Sequence, residues 1–217
     1  MSLAIIVPTL NEEAHLPACL DAASRERPDE LVVVDGGSRD ATCDVARTHG
    51  VRVIETKPGR AAQMNEGAAR TTSDLLLFCH ADTMLPDGYR AHVERILGDA
   101  SVSLGAFRFG LERRRAANRV IELGVALRCA VFGMPYGDQA LFCRRADFLA
   151  VGGFAPPPAL EDMALVLDLR RLGHLRMAPV SVRISDRAWK RHGYFALTLR
   201  HYGKAVTWLA RRGTDRR

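Results

Sequence analysis

The chain has 217 residues, is 47% hydrophobic and carries a formal net charge of +6, with an isoelectric point near 9.4. This size and apolar content suit one compact domain with a full core, or a domain with a helical appendage. They exclude a membrane-spanning helix, because no stretch approaches the ~18 uncharged apolar residues that such a helix needs. The first apolar run stops at Pro8 and lacks preceding basic residues, so it predicts a strand and not a signal peptide.

Strands and helices alternate through the first part of the chain. Short apolar runs predict strands, and segments with N-cap residues and helical apolar spacing predict helices, the first of them capped by Asn11. This βαβαβαβ pattern predicts a parallel sheet with right-handed crossovers and helices on both faces. The predicted strands are residues 3–7, 31–34, 51–55 and 74–79, and the later two helices are residues 41–49 and 60–69.

After Asp82 the alternation changes. Residues 102–111 predict a strand, expected to be antiparallel, and further strands are expected at 139–143 and 180–184. We interpret residues 1–186 as one Rossmann-like α/β domain with a central mixed, mostly parallel sheet between helices. Residues 187–217 then form a basic, amphipathic, helical extension of the same compact unit. Helices are predicted at 88–97, 113–132, 145–151, 161–172 and 189–211.

The cysteines and the basic C-terminal segment bear on compartment and partners. Five cysteines, an odd number without C-x-x-C spacing, favour buried reduced thiols and a cytosolic compartment. Residues 187–217 hold nine Lys or Arg and one acid. Their amphipathic stretch predicts packing onto the domain or onto a second subunit as a homodimer, with peripheral contact to an anionic membrane as the alternative. Nucleic-acid binding is not expected, because no aromatic-plus-basic motif is present.

The first four predicted strands each end in a polar loop, and open α/β sheets bind ligands at the carboxyl ends of their strands. Asp35 could accept from a ribose hydroxyl or a base, or belong to a simple turn. Asp82 could hold a hard dication that bridges phosphates, or cap a turn. His80 fits a ligand, a phosphate donor or a packed histidine equally. Arg60, at a helix N-terminus, could bind an anion.

Three later segments carry further candidates. Glu161 and Asp162 open a helix, where an acid either favours the helix dipole or serves as a general base toward a hydroxyl. Asp138 lies in a similarly ambiguous turn. Residues 186–192 could close over a diphosphate or begin a surface helix. The chain lacks G-x-G-x-x-G after its first strand, G-x-x-x-x-G-K-[ST] and G-x-S-x-G, which counts against dinucleotide oxidoreductases, P-loop enzymes and α/β hydrolases.

Residues 7–12 (VPTLNE), 33–40 (VVDGGSRD) and 80–82 (HAD) together resemble family 2 glycosyltransferases, which have the GT-A fold. The resemblance covers at least residues 3–170. Residues 57–65 and 77–83 look closer still to a subgroup of small bacterial transferases associated with radical-SAM and selenodomain proteins, some labelled arsenosugar biosynthesis glycosyltransferases. The resemblance implies an inverting, hexosyltransferase-type enzyme that moves a sugar from a nucleoside diphosphate sugar, with a UDP-sugar favoured, to an unknown hydroxyl acceptor.

The resemblance also implies roles for individual residues. In this family the acid that ends the second strand holds the base or ribose. Residues of the loop after the third strand lie near the nucleotide and donor sugar, and so does the residue before the metal-binding acid. The residues implied to bind the donor are Pro8, Asn11, Glu12, Asp35, Arg60, Asn65, Ala81 and Arg187.

Catalysis and metal binding are implied at the remaining positions. Asp82 corresponds to the retained acid of the D-x-D motif and would bind Mg²⁺ or Mn²⁺, and Asp162, beside Glu161, would be the base. His80 stands where the family has the first acid, and an imidazole ligand would move the preference toward Mn²⁺. His80 and His192 are therefore candidate additional metal ligands.

Two other functions are compatible with parts of the pattern. A sugar-phosphate nucleotidyltransferase would be expected to carry a glycine-rich phosphate loop after the first strand, and residues 8–11 read PTLN instead. A non-catalytic nucleotide-sugar-binding protein would not need its acids, and the presence of Asp82 and Asp162 counts against it.

Overall fold

Seven strands form one sheet in the computed structural model, which describes residues 1–112, 116–156 and 160–185. The order across the sheet is β3-β2-β1-β4-β7-β6-β8, and β5 and β9 pair separately. The strands are β1 (Leu3–Thr9), β2 (Glu30–Asp35), β3 (Arg52–Glu55), β4 (Leu75–Phe78), β5 (Thr83–Met84), β6 (Val102–Arg108), β7 (Phe142–Arg144), β8 (His174–Ser181) and β9 (Arg183–Ile184).

Helices cover both faces of this sheet, as the alternation of strands and helices predicts. Along β1, Leu3, Ile5 and Val7 belong to one core cluster, whereas Ala4 and Ile6 belong to the other, because successive side chains point to opposite faces. The helices are α1 (Leu16–Ser24), α2 (Thr42–Thr48), α3 (Arg60–Ala69), α4 (Tyr89–Leu97), α5 (Ala116–Phe132), α6 (Arg145–Ala150) and α7 (Glu161–Leu169).

The direction of one strand differs from the prediction. Residues 102–111 were expected to give the antiparallel strand, but β6 ends at Arg108 and runs parallel to β8. The reversed strand is β7, which pairs antiparallel with β4 on one side and with β6 on the other. The prediction was wrong because alternation of apolar residues reports which face is buried and says nothing about strand direction.

Three element boundaries also differ from the expectations. The strand predicted at 139–143 begins at Phe142, because residues 137–139 form a 3₁₀ turn and Ala140 has a φ of 45°. The strand predicted at 180–184 is two strands, and β8 begins at His174. Asn11 does not cap α1, which begins at Leu16.

One face of α5 is apolar and exposed. Leu123 is 71% and Leu127 62% exposed, and Val120 and Val131 share this face at intervals of three to four residues. Within the ranges that the structure describes, no helix is both long and apolar enough to cross a membrane. The extension expected at residues 187–217 lies outside the described residues.

Helix α3 packs closely on the sheet, which makes Gly67 a test of the fold. A Cβ built on Gly67 would lie 2.5 Å from Ile6 Cγ2 and 2.9 Å from Val34 Cγ2. We expect Gly67→Ala to destabilise the protein by about 1–3 kcal/mol through overpacking. Gly124→Ala on α5, where an added Cβ has nothing within 4 Å, should instead stabilise it by about 0.5–1 kcal/mol. Urea unfolding measures both, and equal effects would contradict this packing.

Candidate active site

The loops after β1 and β2 are joined through one buried carboxylate, that of Asp35. It is 2% exposed and accepts hydrogen bonds from the Ser38 hydroxyl at 2.5 Å and the Thr9 hydroxyl at 3.1 Å. The backbone N–H groups of Ser38 and Gly37 donate to it at 2.7 and 2.9 Å. Burial raises the pKa of Asp35, but these hydrogen bonds outweigh burial and hold the pKa below its usual value. A carboxylate offers about four acceptor positions, so a ribose or base would have to displace one of these donors.

Further hydrogen bonds hold the residues after β1 against the loop before α2. Asn11 has a φ of 55°, and its side-chain oxygen accepts the Arg39 N–H at 2.8 Å. The Asn11 N–H donates to the Ser38 hydroxyl at 2.8 Å, and the Glu12 N–H donates to the Thr42 hydroxyl at 2.8 Å. Asn11 therefore shapes the loop that places Glu12 at the sheet edge.

A cleft of about 420 Å³ opens at the carboxyl ends of β1 and β4. Gln63 lines it and connects β1 to β2, because its side-chain nitrogen donates to the carbonyls of Thr9 at 2.7 Å and Val34 at 2.8 Å. The sequence did not single out Gln63. Six residues that it did assign to the site also line the cleft, namely Pro8, Glu12, Arg60, His80, Ala81 and Asp82.

Asn65, expected near the donor sugar, contacts protein backbone instead. Its side-chain nitrogen donates to the Phe154 carbonyl at 2.9 Å, and its oxygen accepts the Phe154 N–H at 2.9 Å. This pair of bonds ties α3 to the loop after α6. Both ends of the amide are engaged, so Asn65 has a structural contact where the resemblance implies a ligand contact.

Arg60, at the start of α3, is the cation among the described residues that line the cleft. Its guanidinium lies 3.6 Å from the Glu161 carboxylate at the start of α7, which links the two helices. Burial, and then the charge of Arg60, lower the pKa of His80 to about 3. His80 is therefore a neutral imidazole at physiological pH. Its buried Nε2 atom has no hydrogen-bond partner within the described residues.

Two acids with raised pKa values lie beside this cation. Burial raises the pKa of Asp138 to about 6, opposed by Arg128 and Arg60 and reinforced by Asp82. Burial likewise raises the pKa of Asp162 to about 6, opposed by Arg60 and reinforced by Glu161 and Asp138. In each carboxylate the buried Oδ1 atom lacks a hydrogen-bond partner in the described part of the chain. Such perturbed acids near a cation that lines a cleft are typical of functional sites.

The reversed direction of β7 explains why Asp138 lies here. Residues that precede an antiparallel strand lie at the edge where its parallel neighbour ends, and the Leu141 carbonyl accepts the Phe78 N–H at 2.8 Å. The turn then meets α7, because a Cβ built on Gly137 would lie 2.6 Å from each Asp162 carboxylate oxygen. Glycine allows this approach. The signal in the sequence, a Gly-Asp-Gln turn before a strand, did not reveal the partner helix.

The described residues that could hold a metal ion in the cleft are Asp82 and His80. Among the described residues, no group of three or more His, Cys, Asp or Glu is arranged to hold one. A hard dication that bridges phosphates keeps several waters and needs only one or two carboxylates. The Asp82 carboxylate and the neutral His80 imidazole both line the cleft, so these donors fit a cation that phosphate oxygens help to coordinate. Arg187 and His192, the other expected donor and metal ligands, lie outside the described residues.

The sequence is similar to those of known glycosyltransferases. The profile described as Glycosyl transferase family 2 matches residues 4–147. A PGL/p-HBAD biosynthesis glycosyltransferase of Mycobacterium tuberculosis is 36% identical over 160 residues, covering 69% of this chain and 62% of that protein. A 4,4'-diaponeurosporenoate glycosyltransferase of Staphylococcus haemolyticus is 34% identical over 93 residues, covering 39% of this chain and 25% of that protein. The chain thus spans 62% of the mycobacterial relative's length.

Solved structures share the fold at low sequence identity. A mannosyltransferase of Pyrobaculum calidifontis, in complex with GDP-Man and Mn²⁺, has a TM-score of 0.75 at 23% identity, covering 98% of this chain and 64% of its own. Glucosyl-3-phosphoglycerate synthase of Mycobacterium tuberculosis, in complex with Mn²⁺, UDP-Glc and phosphoglyceric acid, has a TM-score of 0.62 at 23% identity, covering 85% and 70%. The fold is therefore that of GT-A glycosyltransferases. Since the profile covers residues 4–147 of 217, the chain belongs to Glycosyl transferase family 2.

Proposed function

We propose that this chain transfers a sugar from a nucleoside diphosphate sugar to a hydroxyl acceptor with inversion, assisted by Mg²⁺ or Mn²⁺. One observation carries the proposal. Asp82 and Arg60 line the cleft, and Asp162, a buried acid with a raised pKa, lies at the start of α7 beside Glu161, which pairs with Arg60 at 3.6 Å. Direct displacement needs charge stabilisation at the leaving group and a base at the acceptor. Arg60 and a cation at Asp82 would supply the first, and Asp162 would supply the second.

Each residue then has a defined task. Glu12 and Pro8 would contact the nucleoside, and Arg60 would stabilise the negative charge that grows on the departing diphosphate. A divalent cation held by Asp82 and His80 would, when bound, act as a Lewis acid and stabilise the same negative charge. The Asp162 carboxylate would take the proton from the acceptor hydroxyl as its oxygen attacks the anomeric carbon. Glu161, paired with Arg60 at 3.6 Å, would position that guanidinium.

The identities of donor, acceptor and subgroup are further proposals. A UDP-sugar is favoured by the resemblance, and glucosyl-3-phosphoglycerate synthase, in complex with UDP-Glc and Mn²⁺, supports it, whereas the mannosyltransferase in complex with GDP-Man supports a GDP-sugar. Membership in the radical-SAM-associated subgroup stays a prediction that rests on residues 57–65 and 77–83. The alternative of non-catalytic nucleotide-sugar binding is contradicted if the purified protein turns over a donor.

Metal-dependent nucleotide binding tests the donor site. We expect UDP or GDP with Mn²⁺ to raise the melting temperature by about 2–4 °C for each kcal/mol of ligand-induced stabilisation. Removal of the metal with EDTA, or the substitution Asp82→Ala, should abolish this shift. Asp87→Ala is the matched control, because Asp87 is an exposed partner of Arg25 outside the cleft. A shift that persists in Asp82→Ala would remove Asp82 from the metal site.

The base is tested by kinetics against pH. Because the ordinary pKa of 3.8 is raised to about 6 in Asp162, kcat/KM should rise with pH through about 6 as the carboxylate ionises. Burial is the main cause of this rise in pKa, Arg60 opposes it, and Glu161 and Asp138 add to it. Asp162→Asn should lower kcat by about 100-fold or more.

Asp168→Asn is the control for this experiment, since Asp168 is on the same helix but pairs with Arg171 at 2.9 Å. Its kcat should stay within about twofold of the wild-type value, as is usual for surface substitutions. A wild-type kcat in Asp162→Asn would end the assignment of the base.

We further propose that a homodimer contact, or a peripheral membrane contact as the alternative, forms through residues 187–217, as the sequence predicts. We expect light scattering to show a dimer, or flotation to show binding to vesicles that contain phosphatidylglycerol. A chain that ends at residue 186 should lose this association. A monomer that does not bind vesicles would contradict both contacts.

A further inference from the structure

We propose that Asp138 forms a subsite for the transferred sugar, in which its carboxylate accepts a hydrogen bond from a sugar hydroxyl. This inference rests on the proposed transferase function and extends it to a residue outside the cleft-lining loops of β1 to β4. Three properties of the turn before β7 carry it: the rigidity of the turn, the unsatisfied oxygen of Asp138, and the position of that oxygen between two other acids.

The turn is held by Gln139, whose side chain is 1% exposed. Its oxygen accepts hydrogen bonds from the Arg128 guanidinium at 3.0 Å and the Tyr136 N–H at 3.2 Å. Its nitrogen donates to the Phe107 carbonyl at 3.0 Å. The same guanidinium lies 3.6 Å over the Tyr136 ring. These bonds join the turn to α5 and β6, so the backbone on either side of Asp138 is fixed.

Asp138 differs from its neighbour Gln139, whose side-chain amide has hydrogen-bond partners at both ends. The Asp138 Oδ1 atom is buried and has no hydrogen-bond partner in the described ranges. A buried acceptor without a donor is costly, because it has lost water without replacement. A rigid turn that keeps such an acceptor beside a cleft indicates a site whose donor arrives with a ligand.

The position of Asp138 indicates which part of the ligand it would contact. Gly137, the preceding residue, contacts the Asp162 carboxylate, and the bond between the Leu141 carbonyl and the Phe78 N–H holds the other end of the turn at the end of β4. Asp82 follows β4 by a few residues, and its charge acts on Asp138. Asp138 thus lies between Asp82, which is assigned to the diphosphate, and Asp162, which is assigned to the acceptor. In the proposed reaction the transferred sugar occupies that interval.

The chemistry of the Asp138 carboxylate favours a sugar hydroxyl as its hydrogen-bond donor. A diphosphate would be repelled by a carboxylate, and the described residues include no third ligand that would complete a metal site here. Sugar hydroxyls are neutral donors, and their hydrogen bonds to a carboxylate are stronger than those to a neutral acceptor. The Arg60 and Arg128 guanidiniums, which lower the pKa of Asp138, help to keep it ionised for this role.

The test compares a nucleotide sugar with its own nucleotide. Isothermal titration calorimetry at pH 7.5 with Mn²⁺ gives dissociation constants for UDP, UDP-glucose, GDP and GDP-mannose with the wild type, Asp138→Ala, Asp138→Asn and the control Asp168→Asn. For the pair that the wild type binds, we expect Asp138→Ala to leave the Kd of the nucleoside diphosphate within about twofold and to raise that of the nucleotide sugar at least about tenfold. Asp138→Asn, which keeps a neutral acceptor, should raise it by less.

The outcomes separate this inference from the proposed function. Unchanged binding of the nucleoside diphosphate shows that each variant is folded. If the wild type and Asp138→Ala bind the nucleotide sugar equally well, the sugar subsite is wrong while the transferase proposal stands. If the variant loses both ligands equally, Asp138 serves the structure of the cleft and the inference is wrong. If the wild type binds none of the four nucleotides, the proposed function fails and the inference with it.

Discussion

The reversal of a single strand, β7, determines how the two halves of the chain meet. Three parallel neighbours in the sheet, β2, β1 and β4, bring their following loops to one edge. A fourth parallel strand beside β4 would begin at the opposite edge, about the length of a strand away. Because β7 runs antiparallel to β4, the turn that precedes it lies at the same edge as Asp82. This turn is one of the segments by which the later half of the domain reaches the edge that carries Asp82, together with the start of α7, where Glu161 pairs with Arg60.

The polar residues at this edge divide into two groups according to what their hydrogen-bonding atoms contact. Asp35, Gln139 and Asn65 are engaged by protein donors and acceptors, and they fix the loops after β2, before β7 and after α6. Asp138 and Asp162 keep a buried oxygen without a partner among the described residues, and both have raised pKa values. A preorganised site needs both groups, because rigid loops hold carboxylates with free acceptor atoms in position before a ligand arrives.

Membership in the family does not determine which nucleotide sugar is bound. The family profile ends at residue 147, so it includes the loops that line the cleft and the turn with Asp138, but not α7 with Asp162. Solved relatives with the same fold are in complex with different nucleotide sugars, GDP-Man in one and UDP-Glc in another. A shared fold is therefore compatible with different donors, and the contacts of individual side chains decide between them.

The sequence by itself determined the α/β alternation, the burial of strands such as Val32–Val34 on both faces, and the loops that carry Glu12, Arg60 and Asp82. These features are local, since strand periodicity and turn residues depend on neighbours along the chain. Only the tertiary structure decided that β7 is the reversed strand, that Asn65 ties two elements together, and that Gly137, beside Asp138, meets Asp162. Each of these depends on contacts between residues distant in sequence, and no local pattern encodes strand direction or the partner of a turn.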